Sequence, residues 1–312
     1  MTGTLWLVSP VYFDVEAFRV LRERLLEAVG SNAALSGATV RFVVVDDSAG
    51  RDPEIAALED LGDVRVTTPP FNLGHQRALV YGLRRASAAI ADEDLVVTLD
   101  ADGEDRPEDL ARLVAPVVDS QPSELAVSLA LRTERKESAA FKLAYLLFRA
   151  LFRVLTGTTV RTGNYVAYRG RFVHETLRHP YFDVCYSSTF LALDLNRTLV
   201  GCPRGTRYAG QSRMNTERLA IHGLRMLMPF LDRIAVRALA AFAGLFALGL
   251  IAVLAIVTIT LTSDSEIPGW ATTTAVGLGI LSLLAVANFI VLFAVFTQSR
   301  AVALIGDEDG DG

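Results

Sequence analysis

Two stretches without a single charged side chain, Ala238 to Thr262 and Ala271 to Thr297, constrain this chain more than any other feature. About 20 helical residues cover the roughly 30 Å hydrocarbon core of a bilayer, and each stretch is longer than that. A soluble protein could bury such helices only by surrounding them, and a chain of 312 residues lacks the mass to do so twice. Both are predicted to span a membrane as a C-terminal two-helix hairpin (238–300; spans 238–262 and 271–297). The connecting "SDSEIPGW" has Asp264 and Glu266 but no Lys or Arg, whereas Arg233 and Arg237 precede the first span and Arg300 follows the second. The positive-inside bias then puts the loop outside, and both termini on the cytoplasmic side of a plasma (inner) membrane. "MTGTLWLVSP" has neither the basic start nor the apolar stretch of a secretory signal. The acidic, glycine-rich tail 301–312 is expected to be disordered.

The rest, 1–215, alternates short apolar runs with amphipathic helical stretches. Leu5–Val8, Val40–Val45, Leu95–Leu99 and Leu125–Leu131 read as buried strands, and Val15–Val29 and Gln76–Ala91 as helices between them. This is the pattern of an α/β fold with a mostly parallel, Rossmann-like sheet. Ligands of such sheets collect beyond the carboxyl ends of the strands, where "SPVYFD", "DDSAG" and "DADGED" fall. The net charge of −5, from 30 basic and 35 acidic residues, argues against a nucleic-acid partner. Cys185 and Cys202 have no metal-ligand spacing and read as packing residues.

The third of these loops crowds six carboxylates into the thirteen residues Thr98–Leu110. Asp105, Glu108 and Asp109 are expected to charge the start of the helix around Pro107–Val114. Asp100 and Asp102 alternate along extended backbone, so both can face one ligand, and a divalent cation would remove their repulsion. Oxygen donors without His or Cys select a hard ion, Mg²⁺ or Mn²⁺. Two further segments read as interfacial amphipathic helices: 139–155, with Lys142, Arg149 and Arg153 on one stripe, and a juxtamembrane helix 216–237. The latter sorts Arg218, His222, Arg225 and Arg233 from Leu219, Ile221, Leu224, Leu227, Leu231 and Ile234, and is interrupted by Pro229.

Five motifs in order, "LVSPVYFD", "VVVDDSAG", "NLGHQRALVYGL", "LDADGEDRPE" and "RYAGQSRMNTERL", followed by a membrane hairpin, resemble the family 2 glycosyltransferases of GT-A fold. Within them the chain is similar to the membrane-anchored polyprenyl-phosphate type, the dolichyl-phosphate mannose synthases and bactoprenol glucosyltransferases. The resemblance implies a nucleotide-sugar donor, a polyprenyl phosphate acceptor and a lipid bilayer as partners, with a homo-oligomer as a possible assembly. Residue by residue, it implies that Pro10, Tyr12, Asp14 and Asp47 hold the donor nucleoside, with Asp47 accepting from a base N–H. Asp100 and Asp102 would place the metal, Asp102 as the more direct ligand, and Glu104 stands where relatives often carry a metal-contacting Gln. Arg207, Ser212 and Arg213 would meet the leaving diphosphate, and Arg132 and Arg135 the acceptor phosphate.

One motif departs from the family. Where relatives often read "D.G.FRL", this chain has "RTGNYVAYR", so an aspartate sometimes proposed as general base is replaced by Asn164. An amide takes no proton at neutral pH. A phosphate monoester, with a second pKa near 6, is already largely ionised at pH 7 and needs positioning rather than a base. Asn164 is therefore expected to orient, in a single in-line attack that inverts the sugar's C1. Transfer to another membrane acceptor, a glycerolipid or lipid-linked glycan, and a non-catalytic lipid-binding scaffold are the competing readings.

Overall fold

The computed structural model describes residues 3–132, 139–208, 216–262 and 269–299, in two compact units. Arg135, Ser212, Arg213, the loop acids Asp264 and Glu266, Arg300 and the tail 301–312 lie outside the described residues. The first unit takes in residues 1–149 and 158–229, and the second 150–157 and 230–312.

The first unit is built on a seven-stranded sheet in the order β3-β2-β1-β4-β6-β5-β7. The strands are β1 (Thr4–Val11), β2 (Thr39–Asp46), β3 (Val64–Thr67), β4 (Leu95–Thr98), β5 (Ala126–Arg132), β6 (Thr162–Arg169) and β7 (Asn196–Cys202). Every neighbouring pair is parallel except those of β6, which runs antiparallel to β4 and β5. The apolar runs read from sequence all fall within or beside strands. Missing from that reading were β3, β6 and β7. Two of these are short or solvated: β3 has four residues including Arg65 and Thr67, and β7 is exposed along most of its length, so neither shows a buried run.

Period-two alternation sorts the central strands onto two faces. Leu5, Leu7, Phe42, Val44, Leu95 and Val97 join Phe18, Leu21 and Leu25 of α1 (Val15–Ser31) and Leu113 and Val117 of α3 (Leu110–Val118) in one core. On the opposite face α2 (His75–Ala86) approaches Val8, Val43 and Val45 at Gly82, where a Cβ would lie 2.4 Å from a Val45 methyl. α5 (Gly170–Glu175) and α6 (Tyr186–Ala192) contribute Phe172, Tyr186 and Phe190 to a buried aromatic cluster with Tyr168 and Phe182. The buried Tyr hydroxyls are satisfied in series, Tyr168 to Tyr186 at 2.9 Å and Tyr186 to Thr98 at 3.0 Å.

The reversal of β6 matters for function. The carboxyl ends of β1, β2, β4 and β5 lie on one edge, and β6, being antiparallel, begins there: Thr162 pairs with Leu131 and Val166 with Thr98. Asn164 therefore reaches the same edge as the acidic loop after β4.

α4 (Ala139–Thr156) follows the expected interfacial segment, with Leu146 and Leu147 exposed. The chain from 216 to 237 is not one helix. α7 (Thr216–Leu227) gives way to a 3₁₀ turn at Met228–Phe230, because Pro229 has no N–H to continue the ladder, and Leu231 already belongs to α8 (Leu231–Thr262). In the second unit α8 packs along α9 (Trp270–Ser299), and a Cβ on Gly249 would lie 2.8 Å from the Ser282 hydroxyl. Both helices are long and apolar enough to cross a membrane, and most of their large side chains face outward.

A tight backbone approach gives a fold-level test. A Cβ on Gly170 would stand 2.0 Å from the Ala91 carbonyl oxygen, while the Gly170 amide donates to Asp94 O at 2.8 Å. Gly170→Ala is expected to cost about 1–3 kcal/mol, read as a lower denaturant midpoint; an unchanged midpoint would show that the strand-to-helix junction yields freely.

Candidate active site

Each strand end on the functional edge delivers a polar turn. After β1 the chain turns through Tyr12, Phe13 and Asp14, with Phe13 in the left-handed region at φ 55°. Such a conformation in a bulky residue is strained and holds the turn out toward solvent, where Phe13 is 37% exposed. After β2, Asp46 ties the next turn by accepting from the Ser48 and Gly50 amides. Its neighbour Asp47 is buried and accepts through Oδ1 from the Leu73 and Gly74 amides at 2.8 and 3.2 Å. Burial raises the Asp47 pKa despite those bonds. Asn72 adds a bond from Nδ2 to the Asp47 carbonyl. The "NLGH" motif thus fastens the start of α2 onto the end of β2, with Gly74 at φ 76° making the entry.

Four carboxylates follow β4 within six residues, and the fold surrounds them with cations. Asp100 Oδ1 lies 2.6 Å from His75 Nε2, off the ideal hydrogen-bond direction, and 3.1 Å from the Asn164 amide nitrogen. Its Oδ2 is 3.6 Å from Arg132, whose guanidinium is also 3.5 Å from Asp105. Asp102 accepts from Arg207 at 2.6 Å. Glu104 has both oxygens engaged, Oε2 by Nε and Nη2 of Arg204 at 3.0 and 2.6 Å, and Oε1 by Arg207 Nε at 3.1 Å. Both arginines come from the segment after β7, which is clipped onto the acidic loop by backbone bonds from Gly205 N to Glu104 O (2.8 Å) and Tyr208 N to Asp102 O (2.9 Å).

These contacts leave the carboxylates unequal. Burial alone would raise Asp100, but His75, Arg132 and Asn164 outweigh it and hold its pKa well below the ordinary range. Asp102 is pushed up to about 6, first by burial and then by the negative charge of Asp100. Asp105 is pushed up to about 7 for the same two reasons. Arg132 and His75 move the other way from what burial dictates, because facing carboxylates favour their charged forms.

Asp105 overturns one expectation. It does not serve the helix that begins at Pro107; it is buried, and its Oδ2 accepts from the Asp100 amide at 3.0 Å. Asp109 pairs with Arg112 at 2.6 Å, and no side chain caps α3. Asn164 donates to Asp100 and accepts from Gln76, whose own oxygen accepts from the Ser187 amide at 2.8 Å.

Of the residues singled out from sequence, Asp100, Asp102, Glu104, Arg132, Asn164 and Arg207 come together, while Pro10, Tyr12, Asp14 and Asp47 line the ends of β1 and β2 on the same edge. His75, Gln76, Asp105 and Arg204 were missed. His75 and Gln76 sit inside the "NLGHQRA" motif, which was the available signal; Arg204 had none, because its partner is 100 residues away.

Among the described residues, no three carboxylate, imidazole or thiolate side chains converge as a ready ligand set. Hard cations that work with phosphates need fewer: one or two carboxylates complete their shell with phosphate oxygens and water. Asp102, raised first by burial and then by the negative charge of Asp100, fits that requirement, because a dication would favour its ionised form.

Residues 11–176, more than half of the chain, match the family described as glycosyl transferase family 2. The chain belongs to that family. Its sheet, with one reversed strand and a site at the carboxyl edge, is the GT-A-like arrangement expected from sequence. The undecaprenyl-phosphate 4-deoxy-4-formamido-L-arabinose transferase of Pectobacterium atrosepticum is 29% identical over 61% of this chain, and the match spans 54%, about half, of that enzyme's length. The uncharacterised glycosyltransferase YkcC of Bacillus subtilis is 25% identical over 85% of this chain and 80% of its own. Among solved structures, glucosyl-3-phosphoglycerate synthase from Mycobacterium tuberculosis, in complex with Mn²⁺, UDP and phosphoglyceric acid, is 17% identical with a TM-score of 0.46, over 74% of this chain and 78% of that one.

The shifted acids of this family 2 site predict a pH dependence. Asp105 and Asp102 hold protons in the folded state at pH values where the unfolded chain, with carboxyl pKa near 4, has lost them, so folding binds protons and stability falls as pH rises through about 6 to 7. His75 has the same sign, since its raised folded pKa favours the folded state below that value and the advantage disappears above it. Metal-free protein is expected to melt at a lower temperature at pH 8 than at pH 5.5, and Asp105→Asn to flatten the difference; a midpoint rising with pH would contradict the charge assignment.

Proposed function

We propose that this family 2 protein transfers one sugar, with inversion, from a nucleotide-sugar to a polyprenyl phosphate at the cytoplasmic face of a membrane. One observation carries the reading: an acidic loop at the carboxyl edge of the sheet is flanked by Arg132 on one side and Arg207 on the other, in a chain that continues into two membrane-length helices. Such an acid pair would hold a metal diphosphate, and an arginine beside it would hold a second phosphate. The Pectobacterium relative, named for an undecaprenyl-phosphate acceptor, supports the choice of lipid.

In this reading Tyr12, Asp14, Pro10 and Asp47 hold the nucleoside. Asp47 Oδ1 is taken by the Leu73 and Gly74 amides, so base recognition falls to Oδ2. A Mg²⁺ or Mn²⁺ held by Asp102, with Asp100 beside it, would neutralise charge on the departing diphosphate. Asp100 is turned by Asn164 and His75, and Asn164 is turned in its place by Gln76. Arg207, with Ser212 and Arg213, supplies donors to the diphosphate. Arg132, and Arg135 with it, brings the acceptor phosphate alongside; its oxygen is already ionised, so no side chain has to take a proton. This accounts for an amide at position 164. A rate gain comes from alignment and from electrostatic stabilisation of the leaving group. The GT2 domain and both termini would be cytoplasmic, with the exposed apolar residues of α4 and α7 lying in the lipid interface.

The purified full chain in lipid nanodiscs, given Mn²⁺ or Mg²⁺ and labelled UDP- and GDP-sugars, is expected to label undecaprenyl phosphate and not diacylglycerol. Asp102→Ala should lower the rate by about 10²-fold or more. Label in diacylglycerol alone would replace the acceptor, and no transfer from any donor would refute the enzymatic reading. Arg132→Leu is expected to raise KM for undecaprenyl phosphate by about tenfold or more while changing KM for the donor little; a change confined to the donor would move Arg132 to the other substrate.

A further inference from the structure

Glu104 was expected to touch the metal, and in the structure it faces two arginines. Both carboxylate oxygens are spent on guanidinium groups, Oε2 on the Nε and Nη2 edge of Arg204 and Oε1 on Nε of Arg207. Its side chain is 12% exposed and the two arginines 29% each, so the anion sits beneath and the cations above, nearer solvent. One carboxylate thus gathers two guanidinium groups at this point of the site, and Arg207 reaches Asp102 as well.

The backbone makes the arrangement stiff. Besides the two bonds that clip 205 and 208 onto the acidic loop, a Cβ on Gly205 would stand 2.3 Å from Gly103 O, and one on Gly103 would stand 2.5 Å from the Tyr208 ring. Gly103 is at φ 87°, which only glycine adopts without strain. Tyr208 is in turn covered by Arg24, with its guanidinium carbon 4.8 Å from the ring centroid. The two arginines are thus set by main-chain contacts.

The two contacts of Arg207 differ in what a cation would do to them. A metal ion on Asp102 competes for Oδ2, the oxygen that Arg207 Nη2 reaches at 2.6 Å. The bond from Arg207 Nε to Glu104 does not involve that oxygen. Glu104 can therefore keep Arg207 at the site while Asp102 changes partner, and it holds Arg204 there in the same way.

We propose that Glu104 is not a metal ligand but a positioning residue, the tether of a two-arginine clamp in which Arg204 joins Arg207 in binding the diphosphate of the donor. The inference deepens the donor reading given above and rests on it. Two guanidinium groups on one carboxylate suit a ligand with two adjacent phosphates better than a monophosphate, because each planar fork can face one phosphate.

The test separates metal from nucleotide. With full-length protein in detergent micelles, Mn²⁺ affinity without nucleotide is read from the electron paramagnetic resonance signal of free Mn²⁺, and affinity for UDP and for GDP is measured by calorimetry at saturating Mn²⁺. Glu104→Gln is expected to leave Mn²⁺ affinity within about threefold of wild type, since removing a carboxylate that is not a ligand has only a long-range effect. The same variant should weaken the better-bound nucleotide by about tenfold or more, and Arg204→Met by a similar factor, as loss of a charge-assisted contact requires. Glu104→Asp, which keeps the charge, should recover part of the loss. A tenfold fall in Mn²⁺ affinity for Glu104→Gln makes Glu104 a ligand and overturns the proposal, as does wild-type nucleotide affinity in Arg204→Met. Should Glu104→Gln fail to fold, Arg204→Met alone decides. Wild-type protein that binds Mn²⁺ but neither nucleotide refutes the donor reading, and the clamp with it.

Discussion

Asp100, Asp102, Glu104 and Asp105 fall within six consecutive positions, and the candidate site depends on how their repulsion is offset. Two unit charges about 4 Å apart interact by roughly 4 kcal/mol at the effective dielectric of a protein surface, so a cluster of four carboxylates cannot persist unbalanced. The fold supplies four groups of opposite sign from three places: His75 from the start of α2, Arg132 from the end of β5, and Arg204 and Arg207 from the segment beyond β7. Nothing in a run of acidic sequence requires those elements to meet. A sheet whose strands end on one edge makes them meet, and the local fold of the site is the geometry of that balance.

The balance is uneven, and the proposed function rests on that unevenness. Asp100 is held as a firm anion by an imidazole, an amide and a guanidinium, whereas Asp102 and Asp105 are lifted toward neutrality. A fixed anion with compliant neighbours accepts an added dication more readily than a fully paired cluster would. The arginine contact to Asp102 is the natural one to yield, since Arg207 retains its second partner in Glu104.

Much of this was legible in the chain before its fold was known. Buried runs at Leu5, Val40, Leu95 and Leu125 announced the central strands, because those strands are covered on both faces and their alternation is lost in continuous apolar sequence. The rule that ligands gather at carboxyl ends then pointed to the candidate site. What could not be read were pairings over long separations. β6 gives no sign that it runs backwards, yet that reversal alone delivers Asn164 to the edge. Asp105 looked like a residue for the helix after it and instead turned back onto the Asp100 amide. The 216–237 stretch had the hydrophobic stripe of one helix, but Pro229 divides it and gives the part from Leu231 on to α8. For β6 and Asp105 a contact beyond the local pattern decided the outcome, whereas at Pro229 the interruption was visible in the sequence itself.

The central claim, that this acidic loop exchanges a protein cation for a metal ion when a nucleoside diphosphate enters, is open to one direct measurement. Anomalous diffraction or cryo-electron microscopy of the full chain with Mn²⁺ and UDP or GDP should place a metal about 2.1 Å from an Asp102 oxygen and from diphosphate oxygens, with Arg207 moved off Asp102 and still on Glu104. A diphosphate bound with Arg207 still seated on Asp102 and no metal between them would contradict the account.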